Sequence, residues 1–160
     1  MIKFKEILFT AFYAGYSPLA PGSAGTLVGM ALYCLEYVLF GSASWIFNLA
    51  AVIILFYPFM KIVNEGERFF GKKDPPEVVL DEIMGYWISV LFYPFNIIIV
   101  VAGFVVFRLM DILKPYPIGK LQRFEGGLGI MIDDCIAGLY TNLILLAAVF
   151  ILKLFHINIF

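Results

Sequence analysis

At 160 residues the chain has the length of a single domain, and 62% of its residues are hydrophobic while only 14% are charged. Soluble domains carry about 25% charged residues, so this composition excludes an ordinary soluble protein and indicates an integral membrane protein. The net charge of −1 provides no basic field for nucleic acid. Cys34 and Cys135 lack the spacing of metal ligands and are expected to be reduced thiols, and a single histidine, His156, argues against a histidine-pair mechanism.

The N-terminal part predicts a short helix followed by two apolar helices. Lys3 and Lys5 precede an apolar run, but no small-residue cleavage site follows, so we expect no signal-peptide cleavage. Two prolines and a glycine within residues 17–22 break that run and predict a loop. An apolar helix should then cover residues 26–40, with Ser23 or Thr26 as its cap. After a tight turn at residues 41–44, a helix over residues 45–62 is long enough to cross most of a bilayer.

The C-terminal part alternates polar segments with apolar runs. Residues 61–82 are polar, with a surface loop at the two prolines, and residues 83–107 carry no charge. Turn-forming residues 93–96 suggest two short helices within this run, with one kinked span as the alternative. A second polar segment, 108–134, precedes a spanning helix over residues 135–152. We therefore expect one all-α domain, residues 1–160, with about four to five apolar helices, some short or kinked, joined by polar loops.

The cations predict how these helices are oriented. Nearly all lie in the N-terminus or the two polar segments, and the two short turns have none: Lys3, Lys5, Lys61, Arg68, Lys72, Lys73, Arg108, Lys114, Lys120 and Arg123. The positive-inside rule places these parts in the cytoplasm. All polar residues that could do chemistry are then expected on one face of the membrane.

Two acidic pairs stand at the starts of apolar helices, each with a small residue one turn later. They are Asp81-Glu82 and Asp133-Asp134. The helix macrodipole favours a first-turn carboxylate by about 0.3–1 kcal/mol, which accounts for one acid per helix but poorly for two repelling neighbours. Four carboxylates brought together would suit Mg²⁺, which prefers oxygen ligands. Spacing alone leaves metal binding and helix capping equally open.

Arg108, Asp111 and Lys114 are spaced three residues apart and form one polar stripe on a helix that Pro115 should end. Taken alone, the stripe favours an ion-pair ladder at the point where a helix leaves the membrane. The functional alternative makes Arg108 and Lys114 phosphate ligands, with Asp111 orienting one of them or binding metal.

Residues 21–26 form a small-residue turn that could bind an anion at a helix N-terminus, but taken alone the motif favours a plain N-cap. The sequence contains no Cys-x5-Arg loop, no Asp-x-Asp-x-Thr motif and no Ser-Gly-His with a partner histidine. These absences leave a metal-activated water as the plausible nucleophile of a phosphatase.

Five motifs occur in the order found in bacterial phosphatidylglycerophosphatase A, and the chain resembles that family over most of its length. The motifs are SPLAPGSAGTL (17–27), GKKDP (71–75), DEIMG (81–85), FRLMDILKP (107–115) and GGLGIMIDDCIAG (126–138). Departures are mild, with Ser23 where the family has Thr and Tyr116 where Trp is expected. The resemblance implies a compact all-helical fold. Together with the distribution of cations, it leads us to expect a protein of the bacterial inner membrane with its active face cytoplasmic. It also implies a Mg²⁺-dependent phosphatase that converts phosphatidylglycerophosphate to phosphatidylglycerol.

On this hypothesis the acidic pairs, Asp81, Glu82, Asp133 and Asp134, gather one or two Mg²⁺ ions. Arg108 and Lys114 grip the phosphate with help from Ser23 and Thr26, and Glu82 or Asp134 is the general base. A CDP-alcohol phosphatidyltransferase is the first alternative, but its Asp-Gly-x-x-Ala-Arg signature is missing. A transporter or scaffold is the second, but it would need acids at a midplane cavity rather than at helix ends. The oligomeric state stays open.

Overall fold

The computed structural model describes residues 2–121 and 126–157, and these residues form helices and loops without a strand. The all-α prediction is therefore confirmed for the described part of the chain. Arg123, one of the cations used to predict orientation, lies outside the described residues. The helices are α1 (Ile2–Phe9), α2 (Pro21–Phe40), α3 (Ser44–Phe70), α4 (Leu80–Ser89), α5 (Ile97–Leu113), α6 (Ile118–Leu121) and α7 (Gly127–Leu154), with 3-10 turns at Ala14–Tyr16 and Gly41–Ala43.

Helix α2 begins at Pro21, five residues earlier than the sequence predicted. Proline suits the first helical position because its missing N–H would have no partner there. The expected cap by Ser23 or Thr26 is wrong, since Ala20 is the N-cap and no side chain caps the helix. The Thr26 hydroxyl instead donates a hydrogen bond to the Gly22 carbonyl at 2.8 Å, inside the helix.

Helix α3 is also longer than predicted, because it continues past residue 62 into the polar segment and ends at Phe70. Gly71, with φ of 65°, terminates it in the left-handed conformation that glycine adopts readily. Residues 71–79 form the loop that the two prolines predicted, and this loop returns the chain to the start of α4.

The uncharged run 83–107 folds as two helices, α4 and α5, which confirms the first of the two predicted alternatives. Asn96 caps α5 by accepting a hydrogen bond from the Ile98 N–H at 2.7 Å. The helix ends at Leu113, and Lys114 takes the left-handed conformation before Pro115, as the proline predicted.

The short helix α4 lies at the centre of the bundle, packed against α2, α3, α5 and α7, and eight of its ten residues are buried. It approaches α7 backbone to backbone, since a Cβ at Gly138 would overlap the Gly85 carbonyl oxygen. A Cβ at Gly85 would in turn lie 2.7 Å from the Asp134 carbonyl oxygen. These two glycines bring the acidic start of α4 next to the acidic pair of α7.

In the described part of the chain, two helical stretches are long and apolar enough to cross a membrane. They are Pro21–Phe70, which contains α2 and α3, and Gly127–Leu154, which is α7. A spanning helix needs about 20 apolar residues, and α4 with 10 residues is too short to span alone. Membrane association is therefore supported, but the expected four to five spans are not confirmed.

Candidate active site

A polar cavity of about 350 Å³ opens where the start of α2, the 71–79 loop, the start of α4, the end of α5 and the first part of α7 meet. It contains both acidic pairs and the cationic stripe of α5. The lining residues are Ala20, Pro21, Gly22, Asp74, Pro76, Asp81, Glu82, Arg108, Asp111, Ile112, Lys114, Asp133 and Asp134. Residues that are far apart in sequence thus share one site, in agreement with the prediction that the polar residues lie on one face.

Three carboxylates form the acidic centre of this cavity. Single oxygens of Asp81, Glu82 and Asp134 lie within 4.8 Å of one another. Each residue also has a buried oxygen without a hydrogen-bond partner, namely Asp81 Oδ1, Glu82 Oε2 and Asp134 Oδ2. Three such carboxylates repel one another unless protons or a cation neutralise them. An all-oxygen donor set of this kind fits a hard divalent ion such as Mg²⁺.

Burial and mutual repulsion raise the pKa values of these carboxyls in the folded chain. Burial, followed by the charge of Asp134, raises the pKa of Glu82 from an ordinary value of 4.5 to about 8. Burial, followed by the charge of Glu82, raises the pKa of Asp81 well above its usual range. These carboxyls therefore hold protons at a pH at which exposed acids are ionised.

Asp133 faces a different partner from its neighbour Asp134. Its Oδ2 lies 2.6 Å from Nζ of Lys114, and the carboxylate is nearly buried. Adjacent helical residues point about 100° apart, which places Asp134 with the acids and Asp133 with the cation. The sequence predicted Asp133 as a metal ligand, but the structure pairs it with a lysine at the edge of the same cavity.

The cations of the α5 stripe are also held by carboxylates. Nη1 of Arg108 lies 2.9 Å from Oδ2 of Asp111, and Lys114 Nζ lies 4.0 Å from Oδ1 of Asp111. Burial lowers the pKa of Lys114, but its hydrogen bond with Asp133 and the nearby carboxylates outweigh burial, so that the pKa is raised overall. The Arg108 Nε is buried without a hydrogen-bond partner. Both side chains line the cavity, where their N–H groups can bind a phosphate.

The turn at the start of α2 lines the cavity through Ala20, Pro21 and Gly22, and not through the hydroxyl residues that the sequence suggested. Gly22 lies so close to the charged groups that a Cβ there would be 2.5 Å from Oε1 of Glu82 and 2.8 Å from Nη2 of Arg108. Thr26 is buried inside the helix packing and Ser23 is half-buried, and the described lining of the cavity includes neither. The turn that the sequence indicated therefore reaches the cavity, and substrate binding by Ser23 and Thr26 stays a prediction.

Asp74 is a charged residue of the cavity lining that the sequence analysis did not place in the site. Its backbone N–H donates to Oε1 of Glu67 at 3.1 Å, and its φ of 49° is one that Asp tolerates better than most residues. Its charge contributes to the raised pKa of Asp81. The signal was present in the GKKDP motif, where an acid directly precedes a proline in a surface loop.

Comparisons with known proteins agree with this geometry. Residues 7–149 match the model of the family described as Phosphatidylglycerophosphatase A. The Escherichia coli K12 protein of that name is 34% identical over 138 residues, covering 85% of this chain and 78% of its own length. A Bacteroides thetaiotaomicron protein, named provisionally as a phosphatidylinositol-3-phosphatase, is 36% identical over 146 residues, covering 89% of this chain and 91% of its own. No solved structure is significantly similar to the chain.

Proposed function

Since the chain belongs to the phosphatidylglycerophosphatase A family of phosphoric monoester hydrolases, we propose that it is a Mg²⁺-dependent enzyme that releases the terminal phosphate of phosphatidylglycerophosphate to give phosphatidylglycerol. One observation supports this most directly. Three buried carboxylates with unpaired oxygens share a cavity with Arg108 and Lys114, which carry opposite charge. This combination suits a metal ion and a phosphate side by side.

Asp81, Glu82 and Asp134 would hold the Mg²⁺. When bound, the ion would neutralise phosphate charge and lower the pKa of a water molecule, which is the chemistry that a phosphatase without a covalent nucleophile needs. Glu82 or Asp134 would accept the proton of the attacking water as general base.

Arg108 and Lys114 would bind the phosphate oxygens, Arg108 through two parallel N–H groups and Lys114 as a point charge. Each cation already has an acid that orients it: Asp111 at 2.9 Å for Arg108 and Asp133 at 2.6 Å for Lys114. Because these pairs form without substrate, the cations would be in position before the phosphate arrives. Most of the catalysis would then be positioning and charge neutralisation, as is usual for phosphoryl transfer.

The substrate would remain in the membrane throughout. Its acyl chains would stay beside the apolar helices while its headgroup enters the polar cavity at one end of the bundle. The cations at this end favour the cytoplasmic side of a bacterial inner membrane. A phosphatidylinositol phosphate is a second candidate headgroup, favoured by the name of the Bacteroides relative.

The test is phosphate release by the purified full-length protein from phosphatidylglycerophosphate in mixed micelles, with Mg²⁺ and with EDTA. Phosphatidylinositol-3-phosphate and phosphatidic acid serve as comparison substrates. We expect release from phosphatidylglycerophosphate with Mg²⁺ and loss of release in EDTA. If only phosphatidylinositol-3-phosphate were hydrolysed, the substrate would have to be reassigned. Full activity in EDTA would refute the dependence on Mg²⁺.

The raised pKa of Glu82 makes stability depend on pH when no divalent ion is present. The unfolded chain loses this proton near pH 4.5, whereas the folded chain keeps it to about pH 8, so the folded state binds more protons in between. The free energy of unfolding in EDTA should therefore fall as pH rises across this range. Mg²⁺ binds the ionised carboxylates and should raise the unfolding temperature more at pH 8 than at pH 5.

Circular dichroism of the detergent-solubilised protein at the two pH values, with EDTA or Mg²⁺, measures both effects. The variant Glu82→Gln cannot titrate and should show a flatter pH dependence in EDTA. An unchanged slope in this variant would show that Glu82 is not the group responsible.

Gly22→Ala should lower kcat/KM for the lipid phosphate by about 100-fold, the cost of a displacement near 1 Å at a reacting centre. The new Cβ would have to displace Glu82 or Arg108, since it would lie 2.5 Å and 2.8 Å from their charged atoms. Gly119→Ala is the matched control, because its Cβ would meet Lys114 O at an ordinary 3.8 Å. Similar activity in both variants would contradict the close packing at Gly22.

A further inference from the structure

Helix α5 carries an exposed apolar stripe along one face. Ile98, Val101, Val105, Leu109 and Ile112 are spaced three or four residues apart, and each is about half or more exposed. This spacing places them in one row along the helix. The opposite side of α5 packs against α2, α4 and α7, so the stripe is the outward face of a helix that the bundle holds firmly.

Part of this stripe is a groove. A cavity of about 530 Å³ lies along α5 and is lined by apolar side chains: Ile97, Ile98, Val101, Ala102, Val105 and Val106. Ala102 is the smallest of them and is half-buried against the cluster of Tyr93, Ile99, Leu145 and Val149. The short side chain at this position leaves a depression between larger neighbours.

The stripe is continuous with the polar cavity. Ile112 lines that cavity among the charged groups and is also 68% exposed, so it stands at the rim where the cavity meets the apolar surface. Arg108 and Asp111 lie on the same helix end. From Ile112 to Ile98 the helix rises by about 21 Å, which exceeds the roughly 15 Å of one leaflet's hydrocarbon.

We propose that the α5 stripe from Ile112 to the groove around Ala102 is the docking surface for an acyl chain of the lipid substrate. This inference rests on the proposed lipid phosphatase function and adds where the acyl chain of the substrate lies on the protein. A phosphate between Arg108 and Lys114 leaves the rest of the lipid only a short distance from Ile112. The apolar stripe then continues from that point to beyond the depth of one leaflet. A second copy of the chain seated on the same stripe would cover Ile112 and the cavity rim, which favours lipid as the occupant.

The first test compares two substrates for each variant: long-chain phosphatidylglycerophosphate in mixed micelles and the acyl-free glycerophosphoglycerophosphate. Val101→Trp and Val105→Trp would fill the groove from exposed positions. We expect the ratio of kcat/KM for the long-chain over the acyl-free substrate to fall at least fivefold. Ile53→Trp is the control, an apolar position on α3 that is more exposed than either groove valine, and it should keep the wild-type ratio. An unchanged ratio in both groove variants would overturn the proposal.

The second test does not depend on turnover. Asp134→Asn protein in phosphatidylcholine vesicles receives trace phosphatidylglycerophosphate with a diazirine in one acyl chain. Crosslinks should concentrate on α5, and their yield should fall when unlabelled phosphatidylglycerophosphate is added. Phosphatidylcholine with the same diazirine is the control, and added phosphatidylglycerophosphate should not change the extent to which it labels the protein. Crosslinks spread evenly over the helices, or a protein–protein crosslink through α5, would refute the docking surface.

The two tests separate the two proposals. Failure to hydrolyse any phosphomonoester would remove the proposed function, while the crosslinks would still report whether a phosphate-headed lipid lies on α5. Hydrolysis with an unchanged substrate ratio and even crosslinking would leave the function standing and remove the docking surface.

Discussion

Asp134→Asn should abolish measurable phosphate release, with a loss in kcat of at least about 100-fold, the scale seen when one charge-stabilising group is removed from an active site. Asp134 is 3% exposed and lies next to Asp81 and Glu82. Its Oδ2 is buried and has no hydrogen-bond partner. Asparagine keeps the shape of the side chain but removes the charge that a cation would need. The variant should therefore fold like the wild type but release no measurable phosphate.

The same substitution should act in the opposite direction on stability. In EDTA, Asp134→Asn removes one of three crowded buried carboxyls, so its unfolding temperature should equal or exceed that of the wild type. Its stabilisation by Mg²⁺ should be lost. Thermal unfolding with and without Mg²⁺, measured beside phosphate release, gives both quantities on one preparation.

Glu65→Gln is the control for removing a carboxylate elsewhere. Glu65 pairs with Lys5 at 2.7 Å on the surface of α3, with 43% of each side chain exposed, and such pairs contribute little to stability. This variant should retain wild-type activity and the full response to Mg²⁺. Undiminished release by Asp134→Asn would exclude Asp134 from the catalytic centre.

Arg108→Lys should lower kcat/KM by about 100-fold, although the charge is unchanged, because lysine cannot make the two parallel contacts of a guanidinium with phosphate. Its shorter reach toward Asp111 would also loosen the pair that holds Arg108 at 2.9 Å. If the contacts form mainly in the transition state, kcat falls while KM stays nearly constant. Steady-state kinetics on phosphatidylglycerophosphate separates the two parameters.

Arg68→Lys is the matched control, since Arg68 lies in the last turn of α3, away from the lining of the cavity. It should keep kcat and KM within about twofold, as surface substitutions change little. Equal kinetics for Arg108→Lys and Arg68→Lys would show that Arg108 supports the bundle and does not bind the phosphate.

Features that depend on local chemistry could be predicted from the sequence. Pro115 stops α5 because its ring cannot continue the helix, and the turn residues before Ile97 separate α4 from α5. The acidic pairs mark the start of α4 and the first turns of α7 because charge is costly within an apolar run. These signals placed both acidic pairs and the cationic stripe on one face without any tertiary information, and in the structure they line one cavity.

Features set by packing could not be predicted in this way. Asp133 pairs with Lys114, whereas Asp134 lies with Asp81 and Glu82. Which of the two faces which partner depends on how α7 is rotated against α4 and α5, and the sequence Asp-Asp does not reveal that rotation. Asp74 reaches the site because the 71–79 loop folds back over it. Each of these depends on contacts between distant segments.

The close approach of Gly85 and Gly138 has a consequence for how the protein fails on heating. Asp81 and Glu82 lie on the first turn of a helix that is almost entirely buried, and the crossing with α7 lies one turn from those acids. Asp81, Glu82 and Asp134 all lie on packed helices, so this acidic centre contains no loop that could open before the rest of the bundle. Loss of activity with temperature should therefore coincide with loss of helix packing, so that thermal inactivation reports directly on the melting of the whole fold.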